Sequence, residues 1–310
     1  MERLPIELVG EIFVLAIDSI DVFDSRGALR FRLDVSAVNA HWRAISLSTP
    51  RLWSSITVAL YGGKFSGLEW IPIWLAPVQA QIQRSANATL SIRIHTLPSP
   101  RPAFRALWNI ICPVLWRCRH LRILESYSTI GEIFPLQEPC PLLHELHIHP
   151  IHQEESEQAH FPSLLFPSSP SAQPSPSPSP PLWAHLTKLI LTDVYQSSFL
   201  SSIPSSNLLE VTLRLPSVPN IITWKSLVDL FAPCADKLQR LLIEGTMPTL
   251  APSDLPLIFR RLHRLTTDCI SFPRYVVTPV LERLVCVDHA YRFKNEDIGP
   301  EWRNVPGSLL

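Results

Sequence analysis

Residues 186–191 read LTKLIL, and a pattern of the same form, Leu-x-x-(Leu or Val)-x-apolar, recurs along the chain. The clearest other copies are LHELHI (143–148), LLEVTL (208–213) and LQRLLI (238–243), and looser copies begin at Leu121, Leu262 and Leu281. The seven starts are 22, 43, 22, 30, 24 and 19 residues apart. Recurrence at such intervals indicates a repeated structural unit.

Leucines that alternate with other residues are typical of a strand with one buried face. Segments between the copies, such as the helical pattern at 224–231, would return the chain to the next strand. The intervals resemble those of leucine-rich repeats, in which stacked units bury one another's leucines. We therefore predict an α/β fold in which an irregular leucine-rich-repeat-like solenoid with a parallel sheet covers residues 56–290. The alternative is an ordinary α/β domain whose strands happen to begin with leucine.

The strand-like pieces at 54–60 and 90–94 are predicted to be irregular first units of this stack. A stretch at 162–181 holds eight prolines and seven serines and is predicted to be a disordered insertion, because proline prevents regular helix or sheet. Residues 291–310 carry no copy of the pattern and are predicted to form a C-terminal cap or tail.

Composition excludes several classes of function. The chain has 27 basic and 27 acidic residues, so neither nucleic acid nor an anionic membrane surface is an expected bulk partner. It has only 9 glycines beside 31 prolines, and neither G-x-G-x-x-G nor G-x-x-x-x-G-K occurs. No apolar run reaches the length of a membrane span, and acidic residues near the start argue against a signal peptide. We expect a cytoplasmic or nuclear protein.

Residues that could bind a metal or act in catalysis are present but scattered. The six cysteines form no C-x-x-C pair and are predicted to be reduced packing residues. His147 and His149 would share one face of a strand about 6.6 Å apart, but no four-ligand spacing accompanies them. The sequence contains no G-x-S-x-G motif. We predict a protein without cofactor, metal or enzymatic activity of its own, and a hydrolase with scattered Ser, His and Asp remains an alternative.

The N-terminal segment has a helical pattern from Leu4 to about Thr49. Its first helix is apolar nearly all round, so it requires cover on several sides. A loop rich in acidic residues that ends near Gly27 is predicted to separate it from a single second helix, which carries Trp42 and is stopped by Thr49-Pro50.

The blocks LPIELVGEIF (4–13), VSAV (35–38), HWRAI (41–45) and STPRLW (48–53) resemble an F-box, with Asn39 where the family usually has a cysteine. With the repeats that follow, the chain resembles the F-box and repeat proteins abundant in mushroom-forming fungi. The resemblance implies a helical F-box-like module at 1–55 that docks the Skp adaptor of a cullin-RING ubiquitin ligase, and repeats that bind a target protein. The residues implied in Skp docking are Leu4, Pro5, Leu8, Ile12, Phe13, Val35, Val38, Trp42 and Ile45. The alternative is a repeat scaffold that keeps these helices as a cap and joins no ligase.

A charge pattern accompanies the repeats. The residue before the second leucine is basic in four copies, whereas in two copies it is acidic, Glu145 and Glu210. In a parallel stack these side chains would form a column with a spacing of about 4.8 Å, and an acidic or phosphorylated target would relieve repulsion among the basic members. The predicted target-binding residues are therefore Lys188, Arg240, Arg264 and Arg283.

Overall fold

The computed structural model describes a mixed α/β fold that divides into two compact units. One unit comprises Met1–Ile133, Glu138–Leu143 and Ile151–Gln153, and the other comprises Phe134–Gln137, His144–Pro150 and Glu154–Leu310. The described residues are 4–20, 25–61, 71–97, 101–126, 140–151, 183, 185–192, 200, 203, 206–215, 222–246, 256–268 and 272–286. The predicted insertion at 162–181 and the predicted tail at 291–310 lie outside these ranges.

The first unit begins with three helices and a short 3-10 helix. These elements are α1 (Ile6–Asp18), α2 (Ser25–Val38), α3 (Ala40–Ser48) and the 3-10 helix Pro50–Trp53. The prediction of a single second helix is wrong, because the chain breaks at Asn39 and starts a new helix there. The predicted extent of the acidic loop is also wrong, since Gly27 lies inside α2.

Three parallel strands, two α-helices and a second 3-10 helix (Cys112–Arg117) follow among the described residues of the first unit. In chain order the strands and α-helices are β1 (Ser55–Tyr61), α4 (Ile71–Arg84), β2 (Leu90–Leu97), α5 (Arg101–Ile111) and β3 (Cys118–Ser126). β2 pairs with both β1 and β3, so that the buried residues Ile56, Ile92 and Leu121 are neighbours. Each helix is the crossover that a parallel pair of strands requires. The strands predicted at 54–60 and 90–94 are confirmed.

Six strands between residues 145 and 286 pair in parallel in chain order. Their bounds are β4 (Glu145–Ile151), β5 (Lys188–Thr192), β6 (Glu210–Arg214), β7 (Arg240–Glu244), β9 (Arg264–Thr267) and β11 (Arg283–Cys286). Helix α6 (Trp224–Phe231) precedes β7 as predicted, and the short strands β8 (Leu257–Ile258) and β10 (Val276–Val277) pair separately. The predicted α/β fold with parallel strands is confirmed.

The repeated leucines form the core of these strands. Leu189, Val211, Leu241 and Leu265 occupy equivalent register positions on neighbouring strands, and all four are buried. Along each strand, the residues immediately before and after these four are half-buried or exposed. This is the alternation that the repeated pattern predicts.

A buried arginine anchors the N-terminal helices to the rest of their unit. Arg32 of α2 donates from Nε to the Leu52 carbonyl at 2.7 Å, from Nη2 to the Ser55 carbonyl at 2.6 Å and from Nη1 to Gln81 Oε1 at 3.3 Å. These bonds compensate for the removal of the guanidinium group from water. The beginning of β1 and the C-terminal part of α4 are thereby fixed against α2.

None of the helices among the described residues combines the length and the apolar character that crossing a bilayer requires.

Candidate functional site

Helix α1 carries apolar residues on two opposite faces. Its buried face holds Phe13, Val14 and Ile17, which are at most 6% exposed. Leu4, Leu8, Ile12 and Leu15 are 58%, 51%, 50% and 67% exposed, and we name these four residues the α1 stripe. At about 100° per residue, the helical part of this stripe lies opposite the buried face. The structure of this unit therefore leaves a row of large aliphatic side chains open to solvent.

The residues predicted to dock a Skp adaptor divide into three groups by burial. Leu4, Pro5, Leu8, Ile12 and Val38 are exposed. Phe13, Val35 and Ile45 are buried in the core between the helices, so in this structure they shape the surface from beneath and do not line it.

Trp42 is half-buried, and its ring lies 5.1 Å from that of Phe13 at an angle of 57°. Tilted aromatic pairs at this separation are stabilising, so Trp42 ties α3 to the buried face of α1.

Further exposed aliphatic residues accompany the predicted ones. Ile6, Leu15, Leu33 and Leu47 are all large and exposed. Leu15 follows Leu8 and Ile12 at helical spacing, so the sequence carries a signal for it. The exposure of Leu33 and Leu47 depends on how α2 and α3 pack together, which no local pattern reveals.

Asn39 determines where α2 ends and α3 begins. Its backbone is extended, and its Oδ1 accepts a hydrogen bond of 2.8 Å from the Trp42 amide. This is the N-cap arrangement, in which a side-chain oxygen satisfies an amide that has no partner within the helix. The residue that departs from the F-box pattern therefore has a local structural role.

The outward face of the second unit carries the charged residues in register. Strand pairing places Glu145 beside Lys188, and then Glu210, Arg240, Arg264 and Arg283 in succession on neighbouring strands. We name these six residues the charged column. The repeats predicted such a column. The strand register confirms that the four basic residues lie in one column with the two acidic residues.

Ion pairs neutralise the first part of the charged column. Lys188 Nζ lies 3.3 Å from Glu145 Oε1, and Arg240 Nη1 lies 2.9 Å from Glu210 Oε1. Within the described ranges, neither Arg264 nor Arg283 forms a salt bridge. The four predicted target-binding residues are therefore unequal: among the described residues, Lys188 and Arg240 have a carboxylate partner in an ion pair, whereas Arg264 and Arg283 have none.

An open groove of about 410 Å³ lies at the last part of the charged column. Its lining residues are Gln239, Arg240, His263, Arg264, Glu282 and Arg283. His263 Nδ1 lies 3.5 Å from Glu282 Oε1, so the carboxylate of this groove is beside the imidazole.

The histidines and cysteines form no metal centre in the part of the chain that is described. The ring of His144 stacks on that of His185 with centroids 6.1 Å apart. Cys118 and Cys234 are buried free thiols, and burial raises the pKa of each to about 12. Both remain protonated at neutral pH and are therefore poor nucleophiles.

The fold and its surfaces define a mixed α/β protein with parallel strands and a solvent-exposed aliphatic helix face. No protein-family model matches the chain, and no curated protein matches it.

Proposed function

We propose that the protein is a substrate-recruiting adaptor of a Skp/cullin/F-box type ubiquitin ligase. In this proposal the N-terminal helices form an F-box-like module that docks a Skp-type adaptor and, through it, a cullin. The strands of the second unit form a leucine-rich-repeat-like solenoid that binds a target protein.

The observation that carries this proposal is the α1 stripe. Full burial of a leucine or isoleucine side chain stabilises a complex by about 1.5 to 3 kcal/mol relative to its exposure. Large contiguous apolar patches on a soluble protein commonly mark sites of protein interaction. Leu4, Leu8 and Ile12 of the stripe lie in the block 4–13 that resembles the first F-box block, and Leu15 lies two residues beyond it.

One of the exposed residues that the resemblance implies in Skp docking lies on α2 and not on α1. Val38, which is large and exposed, lies at the end of α2 in the second F-box-like block. Two sequence blocks that the resemblance assigns to Skp docking thus each contribute an exposed aliphatic side chain. A partner that covered both would bury more apolar area than α1 alone provides.

The alternative function is a repeat scaffold that does not join a ligase. The anchoring of the helices favours it, because Arg32 and the buried Trp53 fix them to their unit as a terminal cap would be fixed. The Arg84 guanidinium lies 4.4 Å from the centre of the Trp53 ring and adds to this anchoring. A cap of this kind requires no external partner, and it leaves the exposure of the α1 stripe unexplained.

Co-purification with a Skp-type adaptor from a mushroom-forming fungus tests the proposal. We expect the wild-type chain to retain the adaptor, and Leu8→Asp to weaken retention at least about tenfold, because a buried carboxylate without a partner is costly. Ile73→Asp is the matched control, since Ile73 is 59% exposed on α4 and lies outside the F-box-like blocks. A folded wild-type chain that does not bind the adaptor would leave the scaffold as the remaining function.

A further inference from the structure

We propose that the groove at Arg264 and Arg283 binds a phosphorylated serine or threonine side chain of an extended target segment. The inference rests on the proposed function, because it specifies the kind of target that the second unit recruits. Three features of the groove support it: the distribution of charge along the column, the spacing of the two arginines and the uncharged surface beside them.

Charge along the column is balanced at one end and unbalanced at the other. Glu145 is paired with Lys188, and Glu210 is paired with Arg240. The next two strands add Arg264 and Arg283 without an intervening acidic residue. Glu282, the one carboxylate among the described residues that line the groove, offsets one of these two positive charges, so the arginines still outnumber it. An anion between the two arginines would therefore find positive charge that no described ion pair neutralises.

The spacing of the two arginines suits a phosphate group. Arg264 and Arg283 are partners in the parallel register of β9 and β11, so their backbones are about 4.8 Å apart. Each guanidinium group presents a planar fork of donors, and a phosphate monoester has three terminal oxygens and carries nearly two negative charges. One phosphate can therefore accept hydrogen bonds from both forks, whereas a carboxylate has two oxygens and a single charge.

A column of uncharged residues runs beside the charged column. Thr212, Leu242 and Thr266 lie two residues further along β6, β7 and β9, are neighbours in register and are half-buried. Beyond them, Arg214 Nε and Glu244 Oε2 form an ion pair at 2.7 Å. An extended peptide can lie along the uncharged column while one of its side chains reaches the two arginines. This arrangement favours a phosphorylated peptide over free phosphate.

The test measures binding of labelled peptide pools to the full chain by fluorescence anisotropy. One pool has phosphoserine at a fixed central position with random neighbours, and matched pools have serine or glutamate there. We expect the phosphoserine pool to bind at least about tenfold more tightly than either matched pool. Serine carries no charge, and the glutamate carboxylate has two oxygens and a single charge, so neither can satisfy both guanidinium forks as a phosphate can. Inorganic phosphate at millimolar concentration should compete.

Variants locate the site. Arg264→Gln and Arg283→Gln should each weaken binding of the phosphoserine pool about fivefold or more, since each removes one guanidinium fork. Lys188→Gln is the matched control, because Lys188 belongs to the same column but is paired with Glu145, and it should change binding less than about twofold. Circular dichroism checks that each variant is folded.

Equal binding of the three pools would overturn the proposal, and so would an equal effect of Lys188→Gln and Arg264→Gln. Glutamate binding as tight as phosphoserine binding would reassign the groove to acidic segments. Failure of the phosphopeptide proposal is distinguishable from failure of the proposed function. Arg264→Gln should leave retention of the Skp-type adaptor unchanged, and Leu8→Asp should leave peptide binding unchanged.

Discussion

At the scale of single residues, Asn39 and Arg32 organise the N-terminal helices. Asn39 separates α2 from α3 through its cap on the Trp42 amide. Arg32 binds atoms of residues that lie 20, 23 and 49 positions away along the chain. Asparagine is a common N-cap, so the break between the helices was within reach of sequence reasoning. The burial of Arg32 was not, because its partners come together only in the folded unit.

The N-cap at Asn39 should make a measurable contribution to the free energy of unfolding. We expect Asn39→Ala to lower the free energy of unfolding by about 1 kcal/mol, because the Trp42 amide loses its acceptor. Asn39→Asp is the control, since it keeps an acceptor at the same position and should change stability by less than about 0.5 kcal/mol. Urea denaturation followed by circular dichroism measures both. Equal stability of Asn39→Ala and the wild type would show that the hydrogen bond contributes nothing.

At the scale of elements, the strands were predictable and the helix surfaces were only partly so. All seven copies of the repeated pattern lie in or next to parallel strands, because alternation of buried and exposed residues is a local property of a strand. The order of charges in the column followed from the same alignment. Ion pairing within it depends on side-chain conformation, so the difference between Lys188 and Arg264 became visible only in the structure.

Substitution by alanine should change the free energy of unfolding by different amounts on the two faces of α1. Phe13→Ala should lower the free energy of unfolding by about 3 to 5 kcal/mol, because it leaves a cavity in the core and removes the contact with Trp42. Leu8→Ala should lower it by less than about 1 kcal/mol, since Leu8 is already half exposed and leaves no enclosed cavity. The measurement is chemical denaturation of both variants. A loss of stability in Leu8→Ala as large as that in Phe13→Ala would mean that the α1 stripe is structural.

At the scale of the whole molecule, a formal net charge of zero conceals local differences. In the first unit, an aliphatic stripe is open to solvent on α1. In the second unit, the charged column ends in three successive arginines, of which Arg240 is paired with Glu210. The proposed division of roles follows from these surfaces: apolar burial would hold the Skp-type adaptor, and charge would select the target. Composition alone indicates neither surface, because both depend on which residues the fold brings to one face.

The most direct test of this division is hydrogen exchange of the full chain with and without a purified Skp-type adaptor. Amides of α1 (Ile6–Asp18) should exchange at least about tenfold more slowly in the complex, because a docked partner suppresses local opening of the helix. Amides of β5 to β7 in the second unit should exchange at unchanged rates. Slower exchange confined to these strands, or no change anywhere at saturating adaptor, would contradict the assignment of the α1 stripe to ligase docking.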